Sequence, residues 1–584
     1  MGRFFEPRIH NDTKEHKEEI ETRRHVIPAK AGNASSAKPI SKFDKKYFMS
    51  ESNCNTHFID YKNTGYFSKI AIDYIEQKED LQTFFQHEIS DKGIENSIKA
   101  RESFPETTRK ILVEELQKQY AGTQSTSIVQ QNILSLKAQN TFTVTTAHQP
   151  NIFGGPLYFV YKILHVVKLA KTLCEKYPHQ HFVPVFYMGS EDADLDELNN
   201  IAISGKKYIW QTNQTGAVGR MQVDKQLLSL IDEIQAQIGV EKFGEEWARI
   251  LKKSYTPEKN IQQATFELIN ALFGKYGLLV LIPDNANLKK VFEPVVVKEI
   301  KEEFSYKALQ QIVTALEEKD YHAQTSGREL NLFYLLNDKR ERIELENGNY
   351  FVHALQLQFS QEELLEEVKN FPERFSGNVV LRGPFQETIL PNIAFVGGGG
   401  EIAYWLEMKK VYGSVNIPYP LLLLRNSFLL INEKQNAKIE KLGLQVEDFF
   451  KKDFEILDKI IARQEERISL EEQVDKLKAL YEEIKSKAAK ADITLKNHAE
   501  FLYLKAFNKI NGLEKKIANA LRKQLAAEKR QITKLQSEFF PNNSLQERQE
   551  NIAGFYAKYG MAIFDIILEN SLTIEEMFGI VVLK

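Results

Sequence analysis

Residues 141–199, TFTVTTAHQPNIFGGPLYFVYKILHVVKLAKTLCEKYPHQHFVPVFYMGSEDADLDELN, carry the pattern that decides the fold. Residues 141–146 are β-branched and aromatic, as a buried strand requires, and residues 182–188 return to that character after a helical pattern over 157–173. In that helix Leu157, Val160, Tyr161 and Leu164 share one face. Ile163, Val166, Val167 and Ala170 widen the stripe until it is nearly all apolar, which predicts a buried helix. Pro156 suits the first turn, where its missing N–H costs nothing. A strand, helix, strand unit of this length makes a right-handed parallel crossover. Open α/β sheets bind ligands beyond the carboxyl ends of their strands, so residues 148–155 and 190–197 fall at the predicted site.

The surrounding chain is long enough for about three or four domains. Its 584 residues are 42% hydrophobic and 27% charged, ordinary for a globular protein. A net charge of −3 argues against a general nucleic-acid binder. Only Cys54 and Cys174 are present, which excludes a disulfide framework and suits a reducing compartment. No apolar run approaches the roughly 18 residues of a membrane span, and no secretory h-region is seen, so the expected location is the cytoplasm.

Outward from the central stretch, residues 1–48 are polar and predicted to be disordered, and Met49 marks an alternative start. The histidines at 10, 16 and 25 are irregularly spaced and read as a solvated tail. Residues 57–130 are mostly helical. A Rossmann-like parallel-sheet core is predicted over 49–428, with inserted segments at about 200–260 and 320–375. The first insertion begins with an antiparallel pattern over 201–223 and continues helical over 226–273. Residues 278–283, LLVLIP, read as another buried parallel strand, and residues 330–352 as short strands with turns at Asn337-Asp338 and Asn347-Gly348. Residues 379–382, VVLR, and the apolar run 393–396 lead into four glycines, 397–400, and a helix starting at Glu401. Glycines at a helix start let backbone N–H groups approach an anion, although Glu401 there is equally a dipole-compensating residue.

From 429 to 540 Lys, Glu, Gln, Leu and Ile dominate. Val474, Leu477, Tyr481, Ile484, Ala488 and Ala491 step by three and four, and Leu521, Leu525, Ile532, Leu535 and Phe539 nearly repeat this, as coiled-coil seams do. A polar break at 492–497 predicts an antiparallel helical hairpin. Residues 541–584 are expected to return to the core.

His148 is suited to polarising an oxygen, donating a proton or ligating a metal, the alternative being a loop histidine held by hydrogen bonds. Gln149, Asn151, Gly154 and Gly155 in the same loop favour a binding site. Lys162 either reaches back toward an anion or snorkels to the surface. Glu191, Asp192, Asp194, Asp196 and Glu197 suit an ammonium or a hydrated Mg²⁺. They are not an EF-hand, because Glu197 and Ile203 occupy the positions of its glycine and its last glutamate. Asp194 to Glu197 has the spacing of a helix cap, which leaves the functional reading to Ser190, Glu191 and Asp192. The His179/His181 pair reads as an exposed connection and Cys174 as packing, and no Walker GKS or GKT follows the glycines.

The blocks HQPNIFGGPLYFVYK (148–162), PVFYMGSEDADLDEL (184–198), Arg382, GGGGEIAYW (397–405) and FPNNSLQER (540–548) resemble the bacillithiol biosynthesis cysteine-adding enzymes, the cysteine ligase family. The resemblance spans most of the chain from about residue 49. It implies a core related to class I nucleotidyltransferases, with residues 148–155 in place of their His-containing phosphate motif, and a coiled coil that pairs two subunits. It also implies that cysteine is joined as an amide to the glucosamine nitrogen of glucosaminyl-malate, the last step in making this low-molecular-weight thiol. Family members often carry Gln where this chain has His148, which assigns orientation by hydrogen bonding to that position, and Pro where it has Gly399.

Amide formation in water needs an activated carboxyl, which ATP with Mg²⁺ supplies through an acyl-adenylate or acyl-phosphate. No tightly bound metal is expected. On this reading the candidate catalytic residues are His148, Asn151, Glu191 and Asp192. The candidate substrate- or nucleotide-binding residues are Gln149, Gly154, Gly155, Tyr158, Lys162, Ser190, Arg382, Gly397, Gly398, Gly400, Glu401, Tyr404 and Trp405. Arg382 is expected to pair with malate or phosphate, the two loops to bind phosphate or carboxylate, and the acids to hold an amine. Two alternatives stay open, a nucleotidyltransferase-like enzyme with another acid substrate and a non-enzymatic coiled-coil adaptor.

Overall fold

The computed structural model describes residues 54–325, 327–463 and 469–584, which belong to one compact unit. The 1–48 extension and its histidines lie outside the described residues.

Five strands form the central sheet: β1 (Thr141–His148), β2 (His181–Met188), β3 (Leu279–Leu281), β4 (Asn392–Gly397) and β5 (Leu421–Leu424). Their order is β5-β4-β1-β2-β3 and every pairing is parallel. β1 and β2 run in register from Thr141 opposite His181 to His148 opposite Met188, and Val396 of β4 stands opposite Thr146, so the carboxyl ends of the three strands coincide. The helix Leu157–Lys176 crosses between β1 and β2, and Tyr161, Ile163, Leu164 and Val166 on it are completely buried. That all-round burial is what its broad apolar stripe requires.

The insertions take the predicted local forms. Asn200–Ile203 and Lys206–Ile209 make an antiparallel hairpin, followed by helices Lys225–Ile238, Gly244–Ser254 and Ile261–Phe273. Leu332–Leu336 pairs with Lys339–Arg342, and Glu344–Glu346 with Asn349–Val352. Asn347 and Gly348 both take positive φ, as a type I′ hairpin turn requires. Residues 379–382 are the first turn of a helix, Val379–Ile389, started by the Asn378 side chain.

The C-terminal region is more divided than the seam pattern implies. Ser427–Asn432 is a strand, parallel to Met577–Leu583, which also pairs antiparallel with Cys54–Asp60. The last strand therefore sits between Cys54–Asp60 and Ser427–Asn432. The polar break does turn Glu471–Ala491 back against Thr494–Gln524, with Tyr481 against Tyr503 at 5.8 Å. That second helix starts earlier than the second seam and breaks at Leu525 before Ala526–Phe539. Ile532, Leu535 and Phe539 are buried, Phe539 against Phe449. The first seam has no fully buried residue.

Candidate functional site

From β1 the sheet grows one way through β2 and β3 and the other way through β4 and β5, so the topological switch point lies between β1 and β4. Ligand crevices form there, because the loops leaving neighbouring strands diverge to opposite faces. The loop after β1 and the glycine run after β4 are thus brought side by side, and Thr146 Oγ1 donates to the Val396 carbonyl at 2.7 Å to tie the strand ends.

Lys162 joins the two loops. It is 2% exposed, so it reaches back rather than snorkelling outward, donating to the Ala147 carbonyl at 3.0 Å and pairing with Glu401. Glu401 also accepts from the Gly398 N–H at 2.8 Å, so it caps the helix Gly399–Leu406 and binds a lysine at once. Burial pushes the Lys162 ammonium down to about 8, and Glu401 offsets this only in part. Burial opposes the Glu401 charge, but Lys162 and the Gly398 N–H outweigh it and hold its carboxyl below the usual range. The ammonium is therefore present below pH 8 and lost as pH rises through it. We expect kcat/KM to fall on an alkaline limb near pH 8, and a profile flat to pH 9.5 would show that the charge is not used.

His148 is half-buried beside Tyr158 and Phe159, with Nδ1 3.1 Å from the Gln149 carbonyl. Burial first, and then the Lys162 charge, push its pKa down to about 3, so it is neutral at pH 7 and suited to orientation by hydrogen bonds. Gln149 donates to Asp192 at 3.0 Å, linking the β1 and β2 loops. Asn151 is 3% exposed and its Oδ1 is buried with no partner among the described residues. Gly154 and Gly155 have positive φ, and a Cβ on Gly155 would lie 2.8 Å from the Asn151 Cβ, so the loop needs glycine there. Phe153 also takes a positive φ, held by its N–H to the Tyr255 hydroxyl at 2.9 Å. Asn551, far along the chain, donates to the Phe153 and Gly155 carbonyls.

On the second loop none of the glycines 397–400 has a positive φ, and closeness constrains only Gly397. A Cβ on Gly397 would meet the Phe395 ring at 2.8 Å, whereas at Gly400 it would face open space. Arg425 donates its N–H to the Gly397 carbonyl at 2.7 Å and pairs through Nη2 with Glu547 at 2.6 Å, so the FPNNSLQER block braces this loop from behind. Its guanidinium also lies 5.3 Å from the centre of the half-buried Tyr158 ring, whose hydroxyl burial pushes up to about 12. Arg382 is half-buried, donates to the Tyr404 hydroxyl at 2.9 Å and presses against Gly189. Burial works against its charge, but Tyr404, Glu401 and Asp192 outweigh that and hold its pKa above the ordinary value. Trp405, by contrast, is 3% exposed and stacked on Phe395 at 4.3 Å, which makes it support beneath the loop.

The acids divide. Glu191 pairs with buried Lys289 and accepts from Ser376 at 3.1 Å, while Lys289 also meets Asp284 and Asp284 holds Arg220 in a two-pronged pair at 2.7 Å. This network neutralises Glu191 within the chain, leaving Asp192 nearer to a role as an ammonium partner. Ser190 is fully buried, with no partner for its Oγ among the described residues. Asp194 stands at the start of the four-residue helix Leu195–Leu198 without a side-chain cap bond. His181 is spent on Asn132 at 3.1 Å. Among the described residues, the group spaced to hold a cation is Glu344, Glu346 and His353, partly exposed on the second insertion and separate in sequence from these loops.

The model of the family described as "Bacillithiol biosynthesis BshC, N-terminal Rossmann-like domain" matches residues 54–426, and that of "Bacillithiol biosynthesis BshC, C-terminal coiled-coil domain" matches residues 428–583. The chain is 38% identical over 528 residues to a "Putative cysteine ligase BshC" of Flavobacterium johnsoniae, covering 90% of this chain and 99% of that one. A protein of the same name from Bacillus cytotoxicus is 29% identical over 534 residues, covering 85% and 95%. Among solved structures, one titled as a putative arginyl-tRNA synthetase of Campylobacter jejuni covers 76% of this chain and 95% of that one at 10% identity, with a TM-score of 0.22, a level that carries no argument.

Proposed function

The chain belongs to the BshC family of bacillithiol biosynthesis, and on that premise we propose that it is a ligase joining L-cysteine to glucosaminyl-malate through an amide to the glucosamine nitrogen. The observation that carries this reading is the Lys162–Glu401 bridge between two loops at the sheet's switch point, flanked by Arg382 and Asp192. The site has a cationic side suited to phosphate or carboxylate and an acid suited to an amine, the two charge types that amide formation from charged substrates requires.

ATP with Mg²⁺ would supply carboxyl activation, and its phosphates fit the open Gly400 backbone and the cations Lys162 and Arg382. The chain's own groups orient the partners. Gln149 and Asn151 present amides, neutral His148 offers a ring nitrogen, and Asp192 faces the amine. A chain with only two cysteines, Cys54 and Cys174, and a thiol product suit a reducing cytoplasm.

Incubating the protein with cysteine, glucosaminyl-malate and ATP-Mg²⁺ should yield bacillithiol by mass spectrometry. Persistent absence of product from a folded sample would reject this function.

We further propose a homodimer through the helical hairpin. Leu480, Phe501, Leu502, Leu504 and Leu513 are each more than 40% exposed there, more apolar surface than an isolated hairpin leaves in water. Leu480→Glu with Leu513→Glu should halve the sedimentation mass. An unchanged mass would mean that this face is not the dimer contact.

A further inference from the structure

The second insertion reaches back onto the strand ends. Its turn at Asn337 and Asp338 is clamped to the loop before Arg220: Ala217 N–H donates to the Asp338 carbonyl at 2.8 Å and Arg220 Nη1 to the Asn337 carbonyl at 2.5 Å. A Cβ at Gly216 would overlap the Asp338 carbonyl oxygen at 1.9 Å, so this contact requires the glycine. Two residues beyond the turn, the strand Lys339–Arg342 carries Arg340, half-buried over the Phe333 ring at 3.8 Å. Its Nε–H donates to Ser376 Oγ at 3.3 Å and its Nη2 to the Gly377 carbonyl at 3.0 Å, and the same Ser376 hydroxyl bonds Glu191. The guanidinium is thus aimed by neutral oxygens and held next to the acids of the β2 loop.

Charge at this place does not balance. Glu191 and Asp284 are matched by Lys289 and Arg220, and Glu401 by Lys162. Arg340 and Arg382 remain, with no carboxylate of the described residues within 4 Å of either. Geometry draws the two side chains to one place: Arg340 bonds the Gly377 carbonyl, a Cβ on Gly377 would lie 3.2 Å from the Arg382 backbone nitrogen, and a Cβ on Gly189, two residues before the Glu191 that shares Ser376 with Arg340, would lie 3.2 Å from Arg382 Nη1. Asp192 favours the charge of both. Asp192, among the described residues the one acid here without a cation of its own, is shared by two half-buried guanidiniums that touch no carboxylate, and the positive excess makes a site that an anion with paired oxygens completes, because a fork of N–H donors on each side matches them.

We propose that Arg340 and Arg382 clamp a dianionic group of the substrates, and that Arg340, brought in by the insertion, selects a dianion over a monoanion. This rests on the ligase reading only for which substrate brings the dianion: the dicarboxylate of the malyl end or a phosphate of the activating nucleotide.

Calorimetric binding of L-malate, inorganic phosphate and L-lactate to the full chain separates these. The wild type should bind one of the two dianions at least about tenfold more tightly than lactate. Arg340→Gln should erase that preference while lactate affinity moves less than about twofold, and Arg340→Lys should restore part of it. Loss confined to malate places the acceptor in the clamp, and loss confined to phosphate places the nucleotide there. In turnover the matching KM should rise while kcat stays within a few-fold. Unchanged malate and phosphate affinities in folded Arg340→Gln, or an equal loss for lactate, would overturn the clamp. Binding needs no turnover, so a wild type that makes no bacillithiol but shows Arg340-dependent dianion binding would reject the ligase reading alone.

Discussion

Arg382→Met should lower kcat/KM for ligation by about 10²–10³, the usual cost of removing a preorganised donor from a site of developing charge, while the protein stays folded. The two halves of this expectation have separate grounds. Among the described residues Arg382 makes no ion pair, so its removal leaves no carboxylate stranded, and its bonded partner is a tyrosine hydroxyl that can turn to water. The stability change should stay within about 1 kcal/mol, the worth of one hydrogen bond. Lys162→Met would differ, since it strands Glu401 beside the glycine loop and confounds folding with function. Arg382→Lys keeps the charge but loses the fork, and should recover only part of the rate. Steady-state kinetics beside urea unfolding midpoints checks both halves. A loss below about threefold in kcat/KM would mean that Arg382 does not face the reacting groups.

Lys162 and Arg340 show how far the sequence could be read. The crossover from β1 to β2 was legible because its signals are local: β-branched strands, a helix apolar all round, and turn glycines between them. The same local grammar placed Lys162 on the helix after the loop, but its direction depended on Glu401, a residue of another strand's loop. Glu191 looked like a free acid because its neighbours in sequence are acids, and the lysine that neutralises it lies on the helix Ala286–Glu302. Trp405 sat in a promising block yet serves as packing, because a tryptophan in a glycine-rich stretch reads alike whether it lines a site or supports one. Arg340, Arg425 and Asn551 were not singled out at all. FPNNSLQER stood out as a block, but its role rests on the pair of Glu547 with Arg425, 122 residues earlier, whose N–H in turn holds Gly397, and pairings at that range have no local signature.

Those long-range contacts make the second large prediction. The two family matches meet between residues 426 and 428, yet the structure crosses that line repeatedly. Cys54–Asp60 has its antiparallel partner in Met577–Leu583. His165 on the crossover helix lies 2.8 Å from the Thr573 carbonyl through Nε2 and accepts the Asn426 N–H at 3.1 Å. Arg425 and Glu547, 3% and 0% exposed, form a buried pair across it. A chain ending at residue 426 should therefore fail to fold, since it exposes the apolar face of the crossover helix and leaves the first strand unpaired. Arg425→Met in the full chain should cost about 3–5 kcal/mol, because it leaves Glu547 buried without its partner. Arg425→Met with Glu547→Leu should recover much of that loss, since an apolar pair of similar volume removes the stranded carboxyl. Unfolding midpoints of the three full-length proteins test this ordering, and a 54–426 fragment with a cooperative thermal transition would show the boundary to be a true folding boundary. If the ordering holds, the brace behind the glycine loop is the joint between the two matched regions, and loosening it should raise KM for the group the glycine loop holds before it unfolds the chain.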